Sequence, residues 1–363
     1  VIPRDAADKA EAKQIASLYG IEIQTLAPVG GGFSGACVFR LEELSGAVYV
    51  LRRTPAADAM PVERYCELVA LLSDVSLRGC GIIPVPLRHR QSLLGLPGTS
   101  DTPRFANVDR SQTRIRSHEF VWQMEPWMPG EPAQGPPTLL QVESTLEALA
   151  LFHKAAVGSV QARADNLTLR VAREHSPGIS RRLSIASELS NGLLARFVKA
   201  AASEPDPEFR SCAKRLCAAL EFWLPWLTKQ LTEVAGVSCQ LQPVIRDLWK
   251  PHVLFTEERV TGIIDLNAMA TDHVGLDVTR LFRSWYGADV DRIREAINMF
   301  SVRQSLDVSD RRLLTAYDAS TVLLSPVTWL SRRFSNVTSV SVAQEVAQRF
   351  AELTFVAERF EPL

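Results

Sequence analysis

The sequence predicts an α/β (α+β) protein of two lobes, a small antiparallel β-rich lobe and then a large, mainly helical one. Three observations carry this. Short β-like runs crowd the first third of the chain, and helical periods dominate from about residue 138. Between them lies Glu125-Pro126-Trp127-Met128-Pro129-Gly130-Glu131-Pro132, whose three prolines and glycine read as an extended connector. The expected boundaries are therefore 1–124, a hinge at 125–132, and 133–363.

In the first lobe a helix is expected over 5–19, stopped by Gly20. Strand-like runs follow at Ile21–Leu26, Ala36–Leu41 and Ala47–Arg52, then a helix from Pro61 to about Ser73 with proline in its first turn. Further strand-like pieces are Val85–Arg88 and Phe120–Met124, separated by the polar, turn-rich stretch Pro97–Ser117. In the second lobe the helical periods cover about 138–156, 187–203, 208–234, 276–286, 289–300, 309–323 and 341–360. Pro225 is expected to kink or break the third of these. Val342, Val346, Phe350, Leu353, Val356 and Phe360 form one apolar stripe on the last. A single hairpin interrupts this half: His252–Phe255, a turn at Thr256–Arg259, then Val260–Asp265.

Composition excludes several classes. Of 363 residues, 46% are apolar and 22% charged, which is enough for a core and too few charges for a disordered chain. The net charge of −1 argues against a broad nucleic-acid-binding surface. No uncharged apolar run is long enough to span a bilayer. The charged N-terminal segment lacks the apolar stretch of a signal peptide, so a cytoplasmic location is expected, without membrane attachment. The six cysteines are scattered without CxxC spacing and read as reduced, mostly buried thiols.

Three constellations carry chemistry. The first is Val29-Gly30-Gly31-Gly32-Phe33-Ser34-Gly35-Ala36. Glycines let backbone N–H groups approach an anion. No Gly-Lys-Ser/Thr ends the run, so it is not a P-loop. A strand-like run follows it, so it is not a dinucleotide fingerprint, and Ala36 spoils a nucleophile elbow. A flap over nucleotide phosphates and a plain glycine-rich turn remain. The second is Val48-Tyr49-Val50-Leu51-Arg52-Arg53. Strand alternation lets only one arginine face the cleft, where Arg52 would hold phosphates. Glu63 and Glu67, one turn apart on the next helix, are candidates to orient that cation, with Glu67 preferred.

The third constellation is Ile245-Arg246-Asp247-Leu248-Trp249-Lys250-Pro251-His252, followed by Gly262-Ile263-Ile264-Asp265-Leu266-Asn267. A hairpin folds the chain back, so Asp247 and Asp265 can meet at one mouth. A carboxylate closing an apolar strand is poorly explained by packing. Lys250 has two readings, a cation for a γ-phosphate or a solvated side chain. Arg181-Arg182 and the pair Trp223 and Trp226 read as surface charge and helix core, with pocket lining as the alternative. His153, on an apolar helix face, reads as a satisfied core histidine.

Together, in this order, these motifs resemble the aminoglycoside phosphotransferase and choline kinase-like family of small-molecule kinases, over roughly Gly30 to Phe282. The resemblance implies a bilobal protein kinase-like fold and phosphoryl transfer from ATP, or another nucleoside triphosphate, to a hydroxyl of a small-molecule acceptor. Asp247 falls on the family's catalytic aspartate and Asp265 on its metal-binding one. His252 falls where the family carries a metal-binding asparagine. Gly31, Gly32, Ser34 and Gly35 fall on the phosphate flap, and Val50-Leu51-Arg52 on the strand that bears its cation. Glu125 and Trp127 lie in the hinge that offers backbone groups to adenine. Asp277, in Gly275-Leu276-Asp277-Val278-Thr279-Arg280-Leu281, falls on a structural aspartate, expected as a helix cap. Mg²⁺ is the implied cofactor, with Mn²⁺ the alternative because imidazole suits transition metals. His252 for asparagine leaves three roles open: metal ligand, phosphate contact, or support for Asp247. It also keeps alive a second reading, a nucleotide-binding pseudokinase or interaction protein on the same fold. The acceptor and the oligomeric state are not legible.

Overall fold

The chain folds as an antiparallel sheet followed by a helical body. The computed structural model describes residues 6–29, 36–89, 112–117, 119–162, 168–334 and 344–363. The sheet holds β1 (Ile23–Val29), β2 (Cys37–Glu43), β3 (Val48–Pro55), β4 (Arg114–Ser117) and β5 (Phe120–Pro126) in the order β1-β2-β3-β5-β4. All its pairings are antiparallel. Alternation buries Cys37, Phe39 and Leu41 of β2 on one face. There they meet Leu51, Trp122 and Met124 and the buried side of α1 (Ala6–Leu18), with Ala12, Ile15 and Ala16. The expected strand at Val85–Arg88 does not form. That segment runs beside the sheet, held by Leu87 N–H to the Met124 carbonyl (2.8 Å) and His89 N–H to the Gln112 carbonyl (2.9 Å).

Helix α2 (Val62–Leu77) joins the second body. Leu68, Leu71, Leu72 and Val75 share a core with Leu146, Leu149 and Phe152 of α3 (Leu139–Gln161). Helix α3 begins at a reciprocal capping box between Thr138 and Gln141. The short strand β6 (Glu131–Pro132) precedes α3, and β7 (Ala172–His175) and α4 (Pro177–Glu188) follow it. A short π-helical turn leads into α5 (Leu194–Ala202), then α6 (Pro207–Ala235). The sequence reading had one helix at 187–203; Gly192, at φ 106°, interrupts it, and α4 starts earlier. Helix α6 passes through Pro225 without ending. Leu220, Leu224, Leu227 and Leu231 are buried on both sides of the proline, so packing carries the helix across the missing hydrogen bond.

Strands β8 (Ser238–Val244), β9 (Val253–Thr256), β10 (Arg259–Ile263) and β11 (Ala270–Asp272) frame the site. β9 and β10 form the expected hairpin, and β6 extends that sheet. The chain continues as α7 (Gly275–Tyr286), α8 (Val290–Arg303), α9 (Val308–Leu324), α10 (Val327–Phe334) and α11 (Gln344–Glu358). Phe350, Ala357 and the following Phe360 pack into the core around α6. Val342 of the expected stripe lies outside the described residues. No described helix is long and apolar enough to cross a membrane.

The six cysteines are free thiols, and all but Cys66 are buried. Burial pushes Cys80, Cys217 and Cys239 up to about 11. Ellman's reagent at neutral pH should therefore modify Cys66 first and the other five only as the chain unfolds. Rapid labelling of two or more thiols in the native state would contradict this packing.

Candidate active site

The site is built on a loop whose backbone is held by a buried carboxylate. Asp277, on the first turn of α7, is fully buried. Its Oδ2 accepts the Ile245 N–H at 3.0 Å, and its Oδ1 accepts the Arg246 N–H at 2.7 Å. His153 Nε2–H, from α3, donates to Oδ2 at 3.0 Å. Asp277 thus clamps the start of the 245–252 loop from outside. The expectation that it caps its own helix is corrected, since α7 has no side-chain cap. His153 is a core histidine, as the sequence suggests, but only its Nε2 is paired; Nδ1 is buried without a hydrogen-bond partner among the described residues.

The clamp imposes a sharp backbone. Arg246 sits at φ 67°, a left-handed conformation that L side chains adopt at a cost of about 1–2 kcal/mol. Asp247 follows, half-buried, with Oδ1 2.5 Å from Arg280 Nη2. A 3₁₀ turn at Lys250–His252 leads into β9, where His252 is buried. The hairpin returns through Ile263, whose N–H bonds the Ile82 carbonyl (2.7 Å), and Ile264, whose N–H bonds the His252 carbonyl (3.0 Å). It ends at Asp265, at φ 61° and ψ 55°. An aspartate tolerates this region better than most residues, and here it turns the carboxylate toward the loop.

The result is convergence across 18 positions of sequence. Asp247, His252 and Asp265 each present a ligand atom, all within 4.8 Å of one another. His252 Nε2 lies 3.7 Å from Asp265 Oδ2. His252 Nδ1–H donates to the Asp247 carbonyl at 2.8 Å, which leaves the Nε2 lone pair facing Asp265. Burial lowers the His252 pKa despite the opposing pull of Asp265, so the ring is neutral at pH 7. A neutral imidazole between two carboxylates fits a divalent cation, and its nitrogen favours Mn²⁺ more than an oxygen ligand would.

Arg52 faces this cluster from β3, its Nη1 3.1 Å from Asp265 Oδ1 and its Nη2 4.0 Å from Glu125 Oε1. Burial alone would lower the guanidinium, but Asp265 and Glu125 outweigh it and hold it above its ordinary value. Burial pushes the Glu125 carboxyl up, with Arg52 opposing. Arg53 points the other way, to Asp8 on α1 at 2.5 and 2.9 Å.

Two expected contacts are corrected. Glu67 does not orient Arg52: it accepts the Leu169 N–H at 2.6 Å and the Thr168 hydroxyl. The docking of α2 on the second body turns this face away from β3. Trp127 does not offer its N–H to a base, because that group donates to the Val48 carbonyl at 3.0 Å and prolongs the β3–β5 pairing. Glu125, expected to serve through its backbone, also directs its side chain to Arg52. Gly31, Gly32, Ser34 and Gly35 lie outside the described residues.

The sequence reading missed the role of Arg280 beside Asp247. It also set Arg181 and Arg182 aside as surface charge. Both line a cavity of about 930 Å³ that opens against Asp247 and also admits Arg246 and Lys250. Trp223 and Trp226 pack with Phe360 instead.

Replacing Asp277 by alanine strands the buried Ile245 N–H, the partly buried Arg246 N–H and a buried histidine. The expected loss is roughly 3–5 kcal/mol, read by urea denaturation, with activity falling in parallel. A loss below about 1 kcal/mol would show that the loop does not depend on this clamp.

Comparison with known proteins follows the same lines. No curated protein matches the sequence. Spectinomycin phosphotransferase APH(9)-Ia, solved with ADP and spectinomycin, superposes with a TM-score of 0.60 at 16% identity, over 99% of this chain and 100% of that one. An aminoglycoside phosphotransferase from Alicyclobacillus acidocaldarius gives 0.53 at 15%, over 94% and 91%. The macrolide 2'-phosphotransferase MphH from Brachybacterium faecium gives 0.51 at 16%, over 94% and 96%. These similarities establish the bilobal, kinase-like fold. The family model described as "Phosphotransferase enzyme family" matches residues 25–301, well over half of the chain, and the protein belongs to that family.

Proposed function

We propose that the protein is an ATP-dependent kinase that phosphorylates a hydroxyl of a small-molecule acceptor. The observation that carries this reading is the meeting of Asp247, His252 and Asp265 within 4.8 Å, opposite Arg52. The nucleotide would lie between the sheet and the helical body. Spectinomycin phosphotransferase has been solved with ADP and with AMP, which supports nucleotide binding here.

Asp247 accepts the proton of the acceptor hydroxyl. The acceptor oxygen then forms a bond to the γ-phosphorus, the bond to the β–γ bridging oxygen breaks, and ADP leaves. Arg280, 2.5 Å from Asp247, pairs with the carboxylate and fixes its direction. Arg52 binds triphosphate oxygens, exchanging part of its pairing with Asp265 for them. Asp265 and His252 would hold a divalent cation, which when bound neutralises phosphate charge. The glycine-rich segment 30–35 would cover the phosphates with backbone N–H groups.

Asp247→Asn should lower the transfer rate by about 10²–10⁴ while leaving binding of a non-hydrolysable ATP analogue within a few-fold of the parent. The reading fails if Asp247→Asn turns over at the parent rate. His252→Asn should raise turnover with Mg²⁺ relative to Mn²⁺, measured as the ratio of kcat/KM in the two metals. An unchanged ratio would remove His252 from the cation site.

A further inference from the structure

The cavity on the far side of Asp247 has a charge pattern that the chain as a whole lacks. The sequence is balanced, with 40 basic and 41 acidic residues. The cavity wall holds eight cationic side chains and two carboxylates, Asp247 and Glu352. Arg52, Glu125, His252 and Asp265 are not part of that wall, so it meets the cluster where the triphosphate is proposed to lie only at Asp247.

Three of the eight cations are neutralised. Arg280 pairs with Asp247, Arg349 with Glu352 at 3.1 Å, and Arg283 with the buried Asp318 through two bonds of 2.6 Å. Arg181, Arg182, Arg246, Lys250 and Arg332 have no carboxylate partner among the described residues. Among the described residues Arg182 bonds only the Gly178 carbonyl of its own helix (3.2 Å), and it lies over the Tyr317 ring at 5.4 Å. Asp272 is near enough to act on it, but Asp272 is already engaged by the Ser176 hydroxyl (2.6 Å), the Tyr317 hydroxyl (3.2 Å) and the His273 N–H (2.9 Å). Burial, reinforced by Arg280 and Arg246, lowers the Arg182 guanidinium to about 10. Burial and the neighbouring Arg181 likewise lower Arg246. Arg182 and Arg246 are partly withdrawn from water, with the exposed Arg181, Lys250 and Arg332 around them, and an anion that enters among these five cations stabilises them.

The wall is assembled from separate elements. Arg181 and Arg182 come from α4, Arg246 and Lys250 from the clamped loop, and Arg332 from the last turn of α10. Arg246 is held there by the left-handed backbone that Asp277 imposes. A glycine in that position would satisfy the backbone more easily but would bring no charge to the cavity.

We infer that the acceptor is an anionic alcohol, a hydroxyl compound bearing one or more carboxylate or phosphate groups, seated among Arg181, Arg182, Arg246, Lys250 and Arg332 with its hydroxyl toward Asp247. This rests on the kinase reading for the role of Asp247, but the charge preference of the cavity is testable without turnover. The cavity repels polycationic acceptors, and an anion's charges are matched by guanidinium forks suited to carboxylate and phosphate alike.

Isothermal titration of the full chain with citrate and with glucose 6-phosphate, against kanamycin as polycation, tests this directly. At low salt at least one anion should bind and kanamycin should not, and added NaCl should weaken the binding. Arg182→Gln and Arg332→Gln should each weaken it about tenfold. Arg332 is exposed, so its replacement leaves the fold intact even if Arg182→Gln does not fold, which circular dichroism would report. Failure of both anions to bind, equal or tighter binding of kanamycin, or full affinity in Arg332→Gln would overturn the inference. Arginine-dependent anion binding in a chain that transfers no phosphate from ATP to any alcohol would keep the cavity assignment and refute the kinase reading. Phosphorylation confined to cationic or neutral alcohols would do the reverse.

Discussion

The site depends on one buried carboxylate. Asp277 satisfies two consecutive backbone N–H groups, those of Ile245 and Arg246, and takes a third hydrogen bond from His153. A carboxylate with no exposure to water needs such a full complement of donors. In return it ties α7, α3 and the 245–252 loop to one point. The loop's left-handed turn at Arg246, the direction of Asp247 and the position of His252 all follow from it.

Asp247 stands at the border of two electrostatic environments. On one side are Asp265, Glu125, His252 and Arg52, a cluster in which carboxylates outnumber the charged cation. That balance favours a divalent ion and explains why Arg52 holds its proton despite burial. On the other side is the arginine-rich cavity, where positive charge is in excess. Arg280 touches the carboxylate from that second side.

Much of this was legible in the sequence, for identifiable reasons. Alternation and helical period located the sheet, the β9–β10 hairpin and most helices, because each buries a single face. The pairing of Asp247 with Asp265 was legible because a hairpin has one geometry. Period two in β3 correctly limited the cleft to one arginine. What sequence could not supply was the docking of whole elements. Glu67 looked free to serve Arg52, but α2 packs against α3 and turns that carboxylate to residues 168–169. The Trp127 N–H looked available, but one more rung of strand pairing consumes it. Arg181 and Lys250 are exposed, as a surface reading expects, but that they and Arg182 line one cavity was not legible because its wall comes from distant segments. Pro225 looked like a break because propensity carries no information about the leucines that hold α6 on both sides of it.

The most direct test of the account is the location of a divalent ion. In crystals grown with Mn²⁺ and a non-hydrolysable ATP analogue, an anomalous difference peak should lie between the Asp265 carboxylate and His252 Nε2, on the Arg52 side of Asp247. An analogue bound with manganese elsewhere, or with no manganese at all, would contradict it.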